Sequence, residues 1–231
     1  MAPSKILIIG NSDGIGLETT KMLLDAGRQV IGLSRSESSI KHDHYRHQVV
    51  DVLAPDYLAL LNEVLAQEPT LDTCLFCVGV GNEIEDNFWR GESKTIATNF
   101  LSVVQTLECL LPRWLEQKKG HFIGLSSLAD TLRIPDGCSY SASKAGFSNY
   151  LESLGLRVRK QGVYISNVRF GFVDTKMAHA PIKPAMISPS AAAKILMSVL
   201  KKKPLRLSRP RRILPAIGFL SFLSWLQTIR Y

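Results

Sequence analysis

Short apolar runs alternate along this chain with longer stretches in which apolar residues recur every three or four positions. The continuous runs predict strands buried on both faces, since they leave no polar face for solvent. The longer recurrences predict amphipathic helices. The expected order is a strand at 5–10, helix 15–27, strand 29–34, strand 47–51, helix 55–67 and strand 73–78. A long helix 92–118, strand 121–126, helix 139–160 and strand 163–169 follow. Residues 36–46 are too short and polar for a full helix and predict a turn or a stub. Such alternation predicts an α/β fold, a doubly wound parallel sheet with helices on both faces. No Pro-, Gly- or Ser-rich linker and no repeat interrupts it. Residues 1–200 are therefore expected to form one domain, with residues 201–231 as a C-terminal tail.

Composition sharpens the picture mainly at that tail. The 231 residues, 45% hydrophobic, suffice for one core. All 20 acidic residues precede position 201, whereas eight of the 28 Lys and Arg lie at or beyond it and account for the net charge of +8. After this basic run, Ile213 to Ile229 is largely apolar but shorter than the ~20 residues of a spanning helix, and Pro215 and Gly218 interrupt it. On a helical wheel Gly218, Ser221, Ser224 and Thr228 form a narrow polar strip against a wide apolar face. A basic run followed by such a helix fits peripheral contact with an anionic membrane. It also fits a helix packed on its own subunit or a partner, with the basic run beside cofactor phosphates or in solvent. No nucleic-acid partner is expected, because no reading motif accompanies the charge. The N-terminal apolar stretch is too short for a signal peptide. Four cysteines without a disulfide framework fit a reducing, cytoplasmic setting. Cys74 and Cys77 stand three apart on a strand and point to opposite faces, with no second pair to complete a zinc site. His42, His44 and His47 with Asp43 read as a solvated loop, and no metal is expected.

Two constellations carry chemistry. The first strand runs into Gly10, Gly14 and Gly16, with Ser12, Asp13 and Ile15 between them, and then into a helix with Leu17, Met22, Leu23 and Leu24 on one face. Glycines at such a turn let the backbone approach a pyrophosphate, whose charge a helix N-terminus favours. An ordinary βα turn carries the same pattern. The second strand ends in Ser34-Arg35 where a free ribose 2′-OH would call for Asp or Glu. That pair suits a 2′-phosphate, so NADP is expected ahead of NAD, although Asp13 argues the other way. The second constellation is Ser127 followed thirteen residues later by Tyr140-x-x-x-Lys144. On a helix the phenol and the ammonium share one face, and a nearby cation favours the phenolate. Lys144 is therefore expected to lower the Tyr140 pKa and make it a general acid/base near neutral pH. Alone, the Tyr–Lys spacing is common.

Together these motifs resemble the short-chain dehydrogenase/reductase family, over roughly residues 4–200 and in the right order. Gly10, Gly14 and Gly16 match its first motif, with Ile9 in place of Thr. Asp51-Val52 matches its adenine-contacting pair, and Val78-Gly79 closes a fourth strand whose Asn-Asn-Ala-Gly has become Phe76-Cys77-Val78-Gly79. Asn99 falls at its helical catalytic Asn, Ser127 at its catalytic Ser, and Tyr140 and Lys144 at its catalytic pair. Gly171, Val173 and Thr175 resemble the segment against the nicotinamide, with Phe170 replacing Pro. The resemblance implies a Rossmann fold and hydride transfer between NADP(H) and a small carbonyl or alcohol. It assigns Asn99, Ser127, Tyr140 and Lys144 to catalysis. Gly10, Ser12, Asp13, Gly14, Ile15, Gly16, Ser34, Arg35, Asp51, Val52, Val78, Gly79, Gly171, Val173 and Thr175, with Tyr140 and Lys144, are assigned to the cofactor. It further implies a homo-oligomer, dimer or tetramer, paired through the two long helices. Residues 176–190 are the expected substrate lid. The substitutions at Ile9 and Cys77 leave a competing expectation, a non-catalytic dinucleotide-binding sensor or scaffold. The tail leaves a third, a membrane-bound enzyme of lipid-like carbonyls.

Overall fold

The computed structural model describes residues 5–81, 91–178 and 183–229. Its seven strands are β1 (Lys5–Ile9), β2 (Gln29–Ser34), β3 (Tyr45–Val49), β4 (Thr73–Phe76), β5 (Gly120–Ser127), β6 (Val163–Phe170) and β7 (Arg206–Arg209). They form one sheet in the order β3-β2-β1-β4-β5-β6-β7, and every pairing is parallel. The order reverses between β1 and β4, so a crevice opens at their carboxyl ends, where open α/β sheets bind ligands.

The alternation within β1 builds both cores. Leu7 and Ile9 enter a cluster with Leu61 and Val64 of α2 (Tyr57–Gln67), Leu107 and Leu110 of α4 (Ser102–Gln117), and Phe147 and Leu151 of α5 (Cys138–Val158). Ile6 and Ile8 face the other way, onto Leu23 and Leu24 of α1 (Gly14–Asp25) and Leu196 and Val199 of α6 (Pro189–Lys202). The doubly wound sheet expected from the sequence is therefore present, with helices on both faces. Residues 36–44 carry no helix, also as expected.

Four features depart from the sequence reading. The third strand spans Tyr45–Val49 rather than 47–51. The predicted helix 92–118 is broken into α3 (Glu92–Ile96), a π-helical turn at Ala97–Leu101, and α4. Helix α6, which lies mostly between the expected lid and the tail, was not anticipated. Nor was β7, which the basic run supplies as the edge strand, pairing Arg206 to Arg209 with Asn167 to Phe170. A helix α7 (Leu214–Ile229) then ends the described chain.

Candidate active site

The glycine turn after β1 is tightly constrained. Gly10 has φ +86°, which favours glycine, and a side chain there would also meet Val78 N at 2.9 Å. A Cβ on Gly16 would lie 2.0 Å from the Gly10 carbonyl oxygen, so the first turn of α1 rests directly on the loop. The N-terminus of α1 thus opens beside the end of β4, where Val78 and Gly79 lie. Asp13 caps α1, its carboxylate accepting from Gly14 N at 2.7 Å. The same carboxylate pairs with Lys176 at 2.7 Å, and this contact first, with the Gly14 bond, holds its pKa below the ordinary value. The acid that seemed to argue against a 2′-phosphate is thus engaged across the cleft. Gly14, Thr175, Lys176, Ser188 and Ser190 line this cleft of about 540 Å³ beside the loop. Asp13, Glu18 and Asp174 also border the cleft, so it is the helix N-terminus and the loop glycines that admit no side chain, rather than the cleft's charge, that fit a dinucleotide pyrophosphate. Ser12 and Ile15 are part-buried within the loop.

The remaining expected cofactor positions fall around the same sheet end. Ser34 is buried at the end of β2 and donates to the Ser36 carbonyl at 3.0 Å, while Arg35 beside it is exposed. Asp51 accepts from Leu53 N at 3.0 Å, and the buried Val52 borders a smaller cleft of about 250 Å³. Val173 is buried and bridges to Ile187, which ties the start of the expected lid to its far end. Within that lid, residues 179–182 lie outside the described residues.

Helix α5 carries the proposed proton-transfer pair to this end of the sheet. Gly124 of β5 has no room for a Cβ, which would sit 2.6 Å from both Phe147 and Leu151, so α5 packs closely on β5. Glu92 of α3 pins its first turn, accepting from Ser139 N at 3.0 Å and Ser139 Oγ at 2.9 Å. Lys144 is buried, with Nζ donating to the Leu125 carbonyl at 3.1 Å and standing 5.9 Å from the Tyr140 ring centroid. Burial lowers its pKa from 10.5 to about 8. Ser127 ends β5, where its hydroxyl accepts from Ala129 N at 3.1 Å and lies near enough to the Tyr140 phenol to influence its pKa.

The expected direction of the Tyr140 shift is corrected here. Burial raises the phenol pKa above 10.0; the Ser127 hydrogen bond opposes this and the Asp130 charge adds to it. A cation lowers a phenol pKa only when its charge outweighs the lost solvation, and burial prevails in this enclosed pair. Tyr140 is accordingly a phenol at neutral pH.

Asn99 sits in the π turn, where its side chain accepts from Val80 N and donates to Val80 O, both at 2.8 Å, and donates to Ser143 Oγ at 3.1 Å. It therefore braces the backbone after β4 against α5, within a broken helix. Gly79 lies beside both side chains, its position for a Cβ being 3.4 Å from Lys144 Nζ and 3.7 Å from Asn99 Oδ1. Asn99, Ser127, Tyr140 and Lys144 are thus brought to one place.

Sequence reasoning missed an ion pair beneath it. Arg169 of β6 donates through Nε to Asp130 Oδ2 at 2.6 Å and through Nη2 to Oδ1, with both side chains buried. Ser148 of α5 also donates to this carboxylate, and Arg169 reaches Ser208 of β7 at 3.1 Å. A charge inside an apolar strand was the available signal, since a buried arginine needs a partner. The partner's identity could not be read from spacing.

Three comparisons place this geometry. The short chain dehydrogenase family profile matches residues 4–184. The 3-ketodihydrosphingosine reductase of Bacteroides thetaiotaomicron is 30% identical over 178 residues, covering 76% of this chain and 66% of the relative, just under two thirds of that protein's length. The 3-oxoacyl-(acyl-carrier-protein) reductase FabG of Vibrio cholerae is 25% identical over 227 residues, 93% of this chain and 88% of the relative. Among solved structures, a short chain dehydrogenase from Burkholderia cenocepacia in complex with NADP superposes with a TM-score of 0.84 at 16% identity, covering 99% of this chain and 97% of that one. Because the matched span runs from the first strand through the serine strand and the Tyr140–Lys144 helix, the chain belongs to the short-chain dehydrogenase family.

Proposed function

We propose that this oxidoreductase interconverts a carbonyl and an alcohol with NADP(H), using Tyr140 as general acid/base. The observation that carries the reading is the convergence of Asn99, Ser127 and Tyr140 with the buried Lys144 ammonium, which stands 5.9 Å from the Tyr140 ring centroid. NADPH, when bound, supplies the hydride for the carbonyl carbon. Gly10, Gly14 and Gly16 would hold the pyrophosphate side, Thr175 would meet the nicotinamide, and the exposed Arg35 would meet a 2′-phosphate. In the reducing direction Tyr140 gives its proton to the carbonyl oxygen, and its raised pKa keeps that proton available at neutral pH. Ser127, whose hydroxyl oxygen accepts from Ala129 N, would turn its single O–H from Tyr140 to the substrate oxygen and so orient it. Lys144 offsets the phenolate charge as it forms. The substitutions at Ile9 and Cys77 favour a sensor less than they first suggest. Backbone bonds span that seam, from Gly10 N to Leu33 O at 2.7 Å and from Cys77 N to Ile9 O at 2.8 Å, and Asn99 braces the chain just beyond.

The substrate belongs, in this proposal, to ketones on hydrocarbon chains. Two relatives are named for a 3-oxoacyl group and a 3-ketosphingoid base. Exposed Met177 and Met186 flank the apolar lid segment. A cytoplasmic homo-oligomer, with peripheral membrane contact through the tail, completes the reading. The test is thermal shift with NADPH and NADH, followed by NADPH oxidation over a panel of ketones and aldehydes. NADPH should stabilise more than NADH, and Tyr140→Phe should lower turnover by about 10²–10⁴-fold while NADPH still binds. Unchanged turnover in Tyr140→Phe would sink the mechanism, and NADPH binding without turnover on any carbonyl would favour the sensor.

A further inference from the structure

Helix α7 is turned the wrong way round for water. A soluble helix puts its apolar stripe on the body and its polar strip outward. Here half of the polar strip faces in: Ser221 Oγ donates to the Thr131 carbonyl at 2.7 Å, and Ser221 and Ser224 are part-buried along with Leu214, Ile217 and Leu226, while Gly218 and Thr228 are exposed. Ser224 and Thr228 donate to carbonyls of their own helix. Phe219, Leu220, Phe222, Leu223, Trp225 and Ile229 are all exposed, Phe219 by 62%, and no residue of α7 is buried. Arg211 and Arg212 stand exposed at its start and hold no ion pair among the described residues. No acidic residue follows position 200.

The place of this helix matters as much as its face. Ser221 is fastened to the 3-10 turn Leu128–Thr131, which Ser127 caps. Pro210 and Ile213 pack over Gly171, within 3.4 Å and 3.1 Å of where its Cβ would stand. The arm leaves β7 at the same sheet end as the crevice, because β7 runs parallel to β6. The segment Arg211–Ile229 is long and apolar enough to cross a membrane by length and composition, with a mean hydropathy of 1.3 over its most apolar window. Its attachment along the body fits a helix lying in the interface plane instead.

We propose that α7 beds its outer face in the headgroup region of an anionic bilayer and sets the mouth of the Ser127–Tyr140 site at that surface. The substrate is then a ketone on a membrane-partitioned hydrocarbon chain, a consequence that rests on the carbonyl-reductase reading above. Charge selects the occupant: arginines without acidic neighbours complement anionic lipid, whereas two copies packed through α7 would bring like charges together.

The experiment uses the full chain with vesicles of phosphatidylcholine alone and of phosphatidylcholine mixed with phosphatidylglycerol. Co-sedimentation is expected with the mixed vesicles and much less with the neutral ones. Trp emission should shift to the blue on binding, and this shift should be lost in Trp225→Phe. The triple variant Phe219→Ser, Phe222→Ser, Trp225→Ser should stay in the supernatant with unchanged melting temperature and NADPH binding. Arg211→Gln with Arg212→Gln should weaken partitioning about 25-fold, at about fivefold per charge. A full chain that stays in the supernatant with both vesicle types overturns the docking. So does a dimer, seen by light scattering, that the triple variant disperses. A long-chain ketone carried in vesicles and a short soluble ketone separate the two readings. If the triple variant loses rate only on the vesicle-borne ketone, both stand. If neither ketone is reduced while vesicles still bind, the reductase reading and the substrate class fall and the docking remains.

Discussion

Lys144 concentrates the residue-scale physics of this site. Its ammonium is buried, bonded to one carbonyl and placed 5.2 Å over the Phe147 ring, and its pKa falls to about 8 because burial outweighs the Asp130 charge. The unfolded chain holds that proton up to about 10.5. Between the two values the unfolded state binds more protons, so Lys144 adds stability as pH rises through about 8 towards 10.5. The cost below that window is on the order of 3 kcal/mol. Urea unfolding of the native chain and of Lys144→Met across this range should show a rising difference slope only in the native chain, with the variant more stable at neutral pH. Equal slopes would place the lysine in a solvated setting. Tyr140 responds to the same enclosure in the opposite sense, as a phenol kept protonated. The Tyr–Lys spacing was legible in the sequence. The direction of the Tyr140 shift was not, because burial is set by residues from other elements.

At the scale of elements, the site is held by joints that periodicity does not show. The π turn at Ala97–Leu101 lets Asn99 leave the helical ladder and clamp Val80 to α5. The Asp130–Arg169 pair joins the turn after β5 to β6, and Ser148 and Ser208 extend it into α5 and β7. Removing one charge of such a pair leaves the other buried without compensation, which costs about 3–5 kcal/mol. Arg169→Leu is therefore expected to destabilise the fold by that amount, and Arg169→Leu with Asp130→Leu to recover most of it. Melting temperatures of the three proteins decide the matter. A double variant no more stable than the single one would mean that the charges do not act as a pair.

Across the whole molecule, the C-terminal arm contributes to two different things. β7 completes the sheet edge, with Leu207 packed against the core, whereas α7 adds no buried residue. Deleting residues 211–231 should leave the melting temperature almost unchanged. Deleting residues 204–231 bares the edge of β6 and should lower it by roughly 5–10 °C. A large loss from the shorter deletion would show that α7 belongs to the core after all. The order of strands and helices, the glycine turn and the spacing from Ser127 to Lys144 were readable from the chain alone. Each is a local pattern, set by the 2.0- and 3.6-residue periods and by a few turn residues. The partners Asp130 for Arg169 and Lys176 for Asp13, the seventh strand and the outward face of α7 were decided only by the tertiary structure. They depend on which residues distant in sequence the sheet brings together and on which surfaces it leaves uncovered, and no local period encodes either.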